Sequence, residues 1–294
     1  DPTGTRIAYV SDGTLRLIEA DGTGDRALAE PDGPDVTWGL AEFVASEEMD
    51  RHRGFWWSPD GDQLLVARVD NSPVQRWFIA DPAHPERPAA EQAYPAAGTP
   101  NAVVGAALID TAGARLEVRW DAESFPYLGV ASWSAGGPPL LLVQSRDQRE
   151  SRVLTVDPDS GLTTVIRSDA DSSWLDLIVG VPCWSPDGRL VRTEIAGDET
   201  RVMVGDVPAT AGLQVRDVLG VDADGVLLRA SADDPTQVHV YLAPLPSPDA
   251  ADKPATVRLS DEAGVHTATR SAGLTVVTSA TMTRFGPRSR LLDA

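Results

Sequence analysis

The residues best suited to chemistry are two adjacent glutamates, Glu47 and Glu48, in the segment 41–52. Two neighbouring carboxylates can share the hydrogen-bond donors of one cationic group, such as a protonated amine. They stand near the predicted C-terminal end of a short helix, where the helix dipole disfavours negative charge by roughly 0.3 kcal/mol or more. Spacing alone favours a structural alternative, in which Glu47 pairs with Arg51 at i, i+4 and both carboxylates are solvated.

Other catalytic patterns are absent from the sequence. It contains no Gly-x-Ser-x-Gly elbow, no Walker phosphate loop, no His-Glu-x-x-His and no dinucleotide-binding glycine motif. The single cysteine, Cys183, is expected to be a small buried hydrophobe. The four histidines lie far apart with no metal-ligand spacing around them: His52, His84, His239 and His266. We therefore expect no metal, no cofactor and no catalytic residue within this chain.

The elements that must position the glutamates are predicted to be mostly short strands. The 294 residues include 25 glycines and 23 prolines, which are spread along the chain rather than concentrated in one tract. At the start of the chain, residues 7–10 and the alternating Leu15 and Leu17 flank an Asp12-Gly13 turn, which predicts a hairpin. One short helix is predicted near residues 39–50, since Leu40, Phe43, Val44 and Glu47 share a helical face.

An internal repeat suggests the architecture. Trp-Ser-Pro-Asp-Gly occurs at 57–61 and 184–188, with weaker copies at 1–4, 133–136, 222–225 and 271–273. Each copy precedes an apolar run, at intervals compatible with propeller blades of about 40–50 residues plus insertions. We predict an all-β chain, a β-propeller of about six visible blades, rather than a β-sandwich. Strands are expected to begin after six glycines: Gly4, Gly61, Gly136, Gly188, Gly225 and Gly273.

Charge and hydropathy limit the classes of partner. The chain carries 25 Lys and Arg against 44 Asp and Glu, a formal charge of −19, which disfavours nucleic acid and anionic membrane surfaces. With 42% hydrophobic residues it can build a sizeable core. No apolar run approaches the ~18 residues of a membrane span, and the first residues do not resemble a signal peptide. The expectation is a soluble protein, with the cytoplasm as the default compartment.

Three motifs carry a family resemblance. They are Glu47-Glu48-Met49-Asp50-Arg51-His52-Arg53-Gly54-Phe55-Trp56-Trp57-Ser58-Pro59-Asp60-Gly61, then Arg68-Val69-Asp70-Asn71-Ser72-Pro73-Val74, then Tyr94-Pro95-Ala96-Ala97-Gly98-Thr99-Pro100-Asn101. In this order they resemble the propeller domain of bacterial dipeptidyl peptidase IV. The close resemblance covers residues 41–101, and the rest of the chain matches only in the spacing of its blades.

The resemblance implies a two-domain serine exopeptidase that releases N-terminal dipeptides, with an eight-bladed propeller over an α/β-hydrolase domain that holds the Ser-Asp-His triad. Residues 1–294 are then expected to form a single propeller domain, truncated at both ends and inactive without the hydrolase domain. In this family the adjacent glutamates bind the N-terminal ammonium of the substrate. The resemblance thus favours Glu47 and Glu48 as binding residues over the structural alternative.

A segment between Val74 and Tyr94 is predicted to project from the fold. Residues 81–88 contain three prolines, which cannot join a central sheet. The resemblance implies that this arm, residues 77–94, packs on a second subunit in a homodimer, the alternative being a mobile surface loop. A different function also stays open at this point: a free-standing propeller that acts as a scaffold for protein interactions. A carboxylate-lined propeller enzyme such as a glycosidase is less favoured, because no second acidic pair begins a blade.

Overall fold

The computed structural model describes residues 1–248 and 255–292. Within them the regular elements are antiparallel strands and one short helix, which confirms the all-β prediction. The chain divides into two compact units. Unit 1 comprises residues 1–133 and 138–175, and unit 2 comprises residues 134–137 and the described residues from 176 onward. The single-domain organisation, the number of blades and the closure of a ring stay predictions.

Unit 1 contains three successive sheets and a separate hairpin. The first sheet has the order β1-β2-β3, the second β10-β9-β6-β4 with β5 also paired to β6, and the third β11-β12-β13-β14. The hairpin is β7-β8. The bounds are β1 Arg6–Ser11, β2 Thr14–Glu19, β3 Arg26–Ala29, β4 Val36–Trp38, α1 Phe43–Glu48, β5 Phe55–Trp57, β6 Gln63–Asp70, β7 Arg76–Ile79, β8 Ala90–Ala93, β9 Val103–Asp110, β10 Arg115–Val118, β11 Tyr127–Ser132, β12 Leu140–Gln144, β13 Glu150–Val156 and β14 Thr163–Ala170.

Unit 2 repeats the same meander. Its sheets have the orders β15-β16-β17-β18, β19-β20-β21-β22 and β23-β24-β25. The bounds are β15 Cys183–Trp184, β16 Leu190–Ala196, β17 Glu199–Val204, β18 Val207–Pro208, β19 Gln214–Asp222, β20 Gly225–Ser231, β21 His239–Ala243, β22 Val257–Arg258, β23 Val265–Ser271, β24 Leu274–Ala280 and β25 Arg288–Leu292. A strand therefore begins at or soon after each of the six predicted glycines.

The repeated Ser-Pro-Asp-Gly motif forms the same turn in both units. The Ser58 hydroxyl donates to Asp60 Oδ1 at 2.5 Å and accepts from the Gln63 amide at 2.9 Å. In unit 2, Ser185 donates to Asp187 at 2.5 Å and accepts from the Arg189 amide at 3.0 Å. Hydrogen bonds from Arg189 and Ser185 lower the pKa of Asp187 to about 2. The motif thus reverses the chain between strands, as its recurrence predicts.

Apolar side chains fill the space between successive sheets within each unit. In unit 1 one cluster lies between the first and second sheets and includes Leu17 and Leu64, and another lies between the second and third sheets and includes Leu65 and Leu141. Unit 2 has a corresponding cluster around Val202 and Leu228. Cys183 is half-buried against this cluster rather than fully buried as predicted, and desolvation raises the pKa of its thiol to about 12, so the thiol is protonated at neutral pH.

Unit 2 also buries two stacked histidines, with 5.0 Å between the ring centroids of His239 and His266. The Ser260 hydroxyl accepts from the Val240 amide and lies 2.8 Å from His239 Nδ1. His239 Nε2 then donates to Gln237 Oε1 at 3.1 Å. His266 is held in the same way: its Nε2 donates to the Glu262 carbonyl at 2.9 Å and its Nδ1 faces the Ser279 hydroxyl at 2.8 Å. In both rings Nε2 thus faces an oxygen acceptor and Nδ1 faces a serine hydroxyl.

The buried position of His239 predicts acid sensitivity. Burial, and then the charges of Arg258 and His266, lower the pKa of His239. The unfolded chain then binds a proton near the ordinary histidine pKa of about 6.5 while the folded chain does not, so stability present at neutral pH is lost as the pH falls through that range. We expect the unfolding temperature to fall between about pH 7.5 and 5.5 and His239→Gln to flatten this slope. His84→Gln, in the exposed hairpin loop, is the control. Equal slopes in wild type and His239→Gln would contradict the prediction.

Candidate functional site

The two glutamates lie on an insertion within a strand. β4 and β5 both pair antiparallel with β6, with Trp38 opposite Arg68 and Phe55 opposite Val66. Ala67, between those two partners, accepts from the Gly39 amide at 2.9 Å and donates to the Gly54 carbonyl at 2.7 Å. β4 and β5 are therefore two halves of one strand position, and residues 40–53 leave the sheet between them. We call residues 40–53 the excursion.

The excursion is closed at its base by two glycines. The Gly54 amide donates to the Gly39 carbonyl at 3.1 Å, and a bridge between Leu40 and Arg53 follows. Gly39 has φ +82°, which a residue with a side chain rarely adopts. A Cβ on Gly54 would lie 2.5 Å from backbone atoms of Gly39 and Leu40. Both ends of the excursion thus need glycine, for different reasons.

α1 lies within the excursion and is shorter than predicted, Phe43–Glu48 instead of about residues 39–50. It cannot begin at Gly39, because that residue is bonded into the sheet. Glu42, the N-cap, is extended with φ −74° and ψ 166°. At the other end Asp50 has φ +51°, and the Ala45 carbonyl accepts from the amides of both Met49 and Arg51 at 3.2 and 3.0 Å. The chain leaves the helix directly after the glutamates.

Glu47 and Glu48 are both exposed. Within the described residues, neither carboxylate makes a hydrogen bond or an ion pair. They occupy the last two helical positions, where the ends of the backbone carbonyls add to the negative potential. A cation placed there would meet two carboxylates with no competing partner. The arrangement is suited to binding a small cationic group.

The alternative ion pair between Glu47 and Arg51 is wrong. Arg51 Nη2 instead donates to Glu42 Oε2 at 2.5 Å, and both side chains are only 4% exposed. The physical reason is the left-handed Asp50, which takes Arg51 out of the helix so that the i, i+4 geometry no longer applies. The buried Glu42–Arg51 pair was not predicted from the sequence, since no periodicity marks it.

The remaining motif residues surround the excursion in unit 1. Tyr94 contacts Phe43 of α1 edge-on at 5.1 Å between ring centroids, and Trp77 of β7 at 4.6 Å. Asn101 Nδ2 donates to the Tyr127 hydroxyl on β11 at 2.9 Å. The exposed Arg53 lies against the ring of Trp56, with 5.9 Å to its centroid. Tyr94 of the third motif thus lies against α1, which carries the two glutamates, and the second motif begins in β6, the strand that pairs with β4 and β5.

The projecting segment is a hairpin of its own. β7 and β8 pair only with each other among the described strands, and the prolines lie in the exposed loop between them. This confirms that the segment does not join a central sheet. In β7, Trp77, Phe78 and Ile79 are 47%, 68% and 59% exposed. An apolar strand is therefore presented to solvent.

Among residues 1–248 and 255–292, no group of three or more His, Cys, Asp or Glu side chains is arranged to hold a metal ion. In the same residues no helix has the length and apolar character needed to traverse a bilayer.

Comparisons with known proteins agree on one family. The family model described as "Dipeptidyl peptidase IV (DPP IV) N-terminal region" matches residues 1–283. Dipeptidyl peptidase 4 of Trichophyton rubrum is 26% identical over 196 residues, 61% of this chain and 25% of that protein. The probable dipeptidyl-aminopeptidase B of Emericella nidulans is 26% identical over 199 residues, 60% of this chain and 22% of that protein. The chain thus spans about a quarter of the length of the curated relatives it matches.

A solved structure shares the fold. The crystal structure of Porphyromonas gingivalis dipeptidyl peptidase 4 superposes with a TM-score of 0.77 at 20% sequence identity, covering 95% of this chain and 41% of that chain. This likeness concerns the fold alone. The family resemblance predicted from the motifs at residues 41–101 is confirmed by the match over residues 1–283.

Proposed function

This chain belongs to the family of dipeptidyl peptidase IV N-terminal regions, and from that membership we propose that it is the substrate-binding, non-catalytic part of a serine dipeptidyl peptidase. The reaction is hydrolysis of the second peptide bond of a peptide with a free N-terminus. The nucleophile and its base belong to an α/β-hydrolase domain outside this chain, and this part gates access to them and binds the end of the substrate.

The observation that carries the proposal is the pair of exposed residues Glu47 and Glu48 at the end of α1, whose carboxylates make no ion pair within the described residues. A peptide α-amine has an ordinary pKa of about 7.7–8.0, so it is mostly protonated at neutral pH. A carboxylate about 4 Å from it contributes roughly 4 kcal/mol of attraction at an effective dielectric of ~20, before desolvation is subtracted. Two carboxylates can share the three ammonium hydrogens, whereas an internal peptide bond offers no charge. The pair therefore selects free N-termini.

The same pair sets the length of the product. A dipeptide spans about 7 Å, so an ammonium anchored at a fixed point places the second peptide bond at a fixed distance from it. Holding the substrate at that distance from the serine lowers the entropy cost of reaction. Only the first two residues are then released.

The charge of the substrate terminus provides the test. The whole protein that contains this chain should hydrolyse a dipeptidyl chromogenic substrate with a free amine at least about tenfold faster than its N-acetylated counterpart, because acetylation removes the charge without lengthening the chain by a residue. Equal cleavage of the two substrates would contradict binding of the ammonium by the glutamates. If neither substrate is cleaved, the result would contradict the peptidase proposal and favour the alternative, a propeller that acts as a scaffold for protein interactions.

We further propose that the arm, residues 77–94, joins two copies of the whole protein. Its support is the exposed apolar strand β7, with Phe78 68% exposed, on a hairpin outside the sheets. Burying such a strand between copies removes apolar area from water.

Deletion of residues 81–88 should convert the dimer to a monomer, because the loop that extends the hairpin is lost. Light scattering of the whole protein measures the mass directly. Phe78→Ser should weaken the dimer in the same direction, whereas Ile195→Ser, at an equally exposed position of unit 2 with 65% exposure, should not. An unchanged mass in the deletion variant would show that the arm is only a surface loop.

A further inference from the structure

Arg51 is a buried cation whose nitrogens are all engaged. Its Nε donates to the Leu128 carbonyl at 2.9 Å, its Nη1 to the Arg53 carbonyl at 3.2 Å and its Nη2 to Glu42. The side chain is only 4% exposed. Arginine suits this position because its planar fork can bind three acceptors in different directions, which a lysine ammonium cannot do in the same geometry.

These contacts join every part of the excursion. Glu42 stands immediately before α1, Arg53 ends the excursion and Leu128 belongs to β11 of the next sheet in unit 1. The Arg51 amide adds a bond to Ala45, the buried residue of α1. The Arg51 side chain thus links residues near both ends of the excursion to β11. The Arg51 amide links the same residue to α1, the helix that carries Glu47 and Glu48.

A buried ion pair of this kind is weak evidence of a stabilising role. Replacing a buried pair by apolar residues of similar volume is often neutral or stabilising, because the desolvation of the two charges offsets their attraction. Here the second carboxylate oxygen of Glu42, Oε1, is buried with no hydrogen-bond partner among the described residues, which adds to the desolvation cost. The sheet does not need the excursion either, since β4 and β5 keep their pairing with β6 on either side of it. A buried ion pair with this desolvation cost is better explained by a role in fixing the position of the excursion than by a contribution to stability.

We infer that Arg51 is the positioning residue of the Glu47–Glu48 pair. This inference rests on the proposed function of the pair as the ammonium site. By holding α1 against β11, Arg51 fixes where the two carboxylates stand, so that the site is formed before the substrate arrives. Arg51 does not touch the substrate. Its loss should act through the two glutamates and weaken substrate binding while the chemical step is retained.

The test compares Arg51→Met and Arg51→Lys in the whole protein, with Arg119→Met, at an exposed arginine of unit 1, as the matched control. With a free-amine dipeptidyl substrate we expect Arg51→Met to raise KM about tenfold or more and kcat to change less than about threefold. Arg51→Lys should recover part of the loss, and Arg119→Met should match wild type. Reaction of the active serine with a small organophosphate should be unchanged in all three variants.

A double-mutant cycle separates positioning from a general structural role. In a Glu47→Gln, Glu48→Gln background, Arg51→Met should raise KM no further, because the groups it positions no longer bind the ammonium. An equal rise in both backgrounds, or a folded Arg51→Met with wild-type KM, would overturn the inference and leave the ammonium site standing. A wild-type KM in the Glu47→Gln, Glu48→Gln variant itself would overturn both. If Arg51→Met does not fold, the same comparison of KM is made with Arg51→Lys and with Glu42→Gln, which removes the charge of the partner carboxylate.

Discussion

Replacing either glutamate by alanine is expected to lower kcat/KM for a free-amine dipeptidyl substrate by tenfold or more in the whole protein. Each change removes one of two carboxylates that face solvent on α1, so the ammonium loses a full charge partner. Because Glu47 and Glu48 are exposed and make no hydrogen bond or ion pair in the described parts of the chain, their removal should not disturb folding. The unfolding temperature should therefore stay at the wild-type value.

Two controls make this measurement specific. Glu123→Ala removes an exposed carboxylate elsewhere in unit 1 and should leave kcat/KM unchanged. The rate at which the active serine reacts with a small organophosphate, which has no ammonium, should be the same in all variants. Unchanged turnover in both Glu47→Ala and Glu48→Ala would show that the two side chains are merely a solvated helix end.

The second large effect is expected from Gly54→Ala. The new methyl would lie 2.5 Å from backbone atoms of Gly39 and Leu40, and backbone atoms cannot rotate away as a side chain can. Overpacking of this kind costs about 1–3 kcal/mol or more of unfolding free energy. The base of the excursion must open, so loss of stability and loss of free-amine selectivity should appear together in this one variant.

Gly105→Ala is the matched control for Gly54→Ala. Gly105 lies in β9 of the same sheet, and nothing stands within 4 Å of a Cβ built on it. That change should be neutral or slightly stabilising, because alanine restricts the unfolded chain more than glycine does. Thermal unfolding of the two variants measures the difference. Equal unfolding temperatures would mean that the base of the excursion yields more readily than its contacts indicate.

Local patterns in the sequence predicted much of the fold. The Ser-Pro-Asp-Gly turns are set by residues within five positions of one another, so their geometry in both units follows from the motif. The strands after the six glycines follow for the same reason. The helix boundaries did not follow, because Gly39 is bonded to Ala67 far along the chain and only the folded sheet shows that it cannot be helical.

The candidate site was also predicted only in part, because some of its contacts are local in sequence and others are distant. Adjacent carboxylates and a family motif were enough to select Glu47 and Glu48, but the spacing indicated the wrong partner for Arg51. The true partners of Arg51 are a carboxylate nine residues earlier and a carbonyl 77 residues later. Such contacts depend on the left-handed turn at Asp50 and on the position of β11. No periodicity in the sequence reports them.

The register on either side of the excursion has a consequence for changes in the length of the excursion. Val36 to Trp38 pair with Asp70 to Arg68, and Phe55 to Trp57 continue on Val66 to Leu64, so Ala67 is the single partner shared by Gly39 and Gly54. A chain that ran from Gly39 directly into Phe55 would keep every one of these pairings. The excursion is therefore an insertion into what is otherwise one continuous strand paired with β6. A change in the length of this segment would leave the register of β4 and β5 on β6 unaltered, so the residues on either side would keep their faces of the sheet.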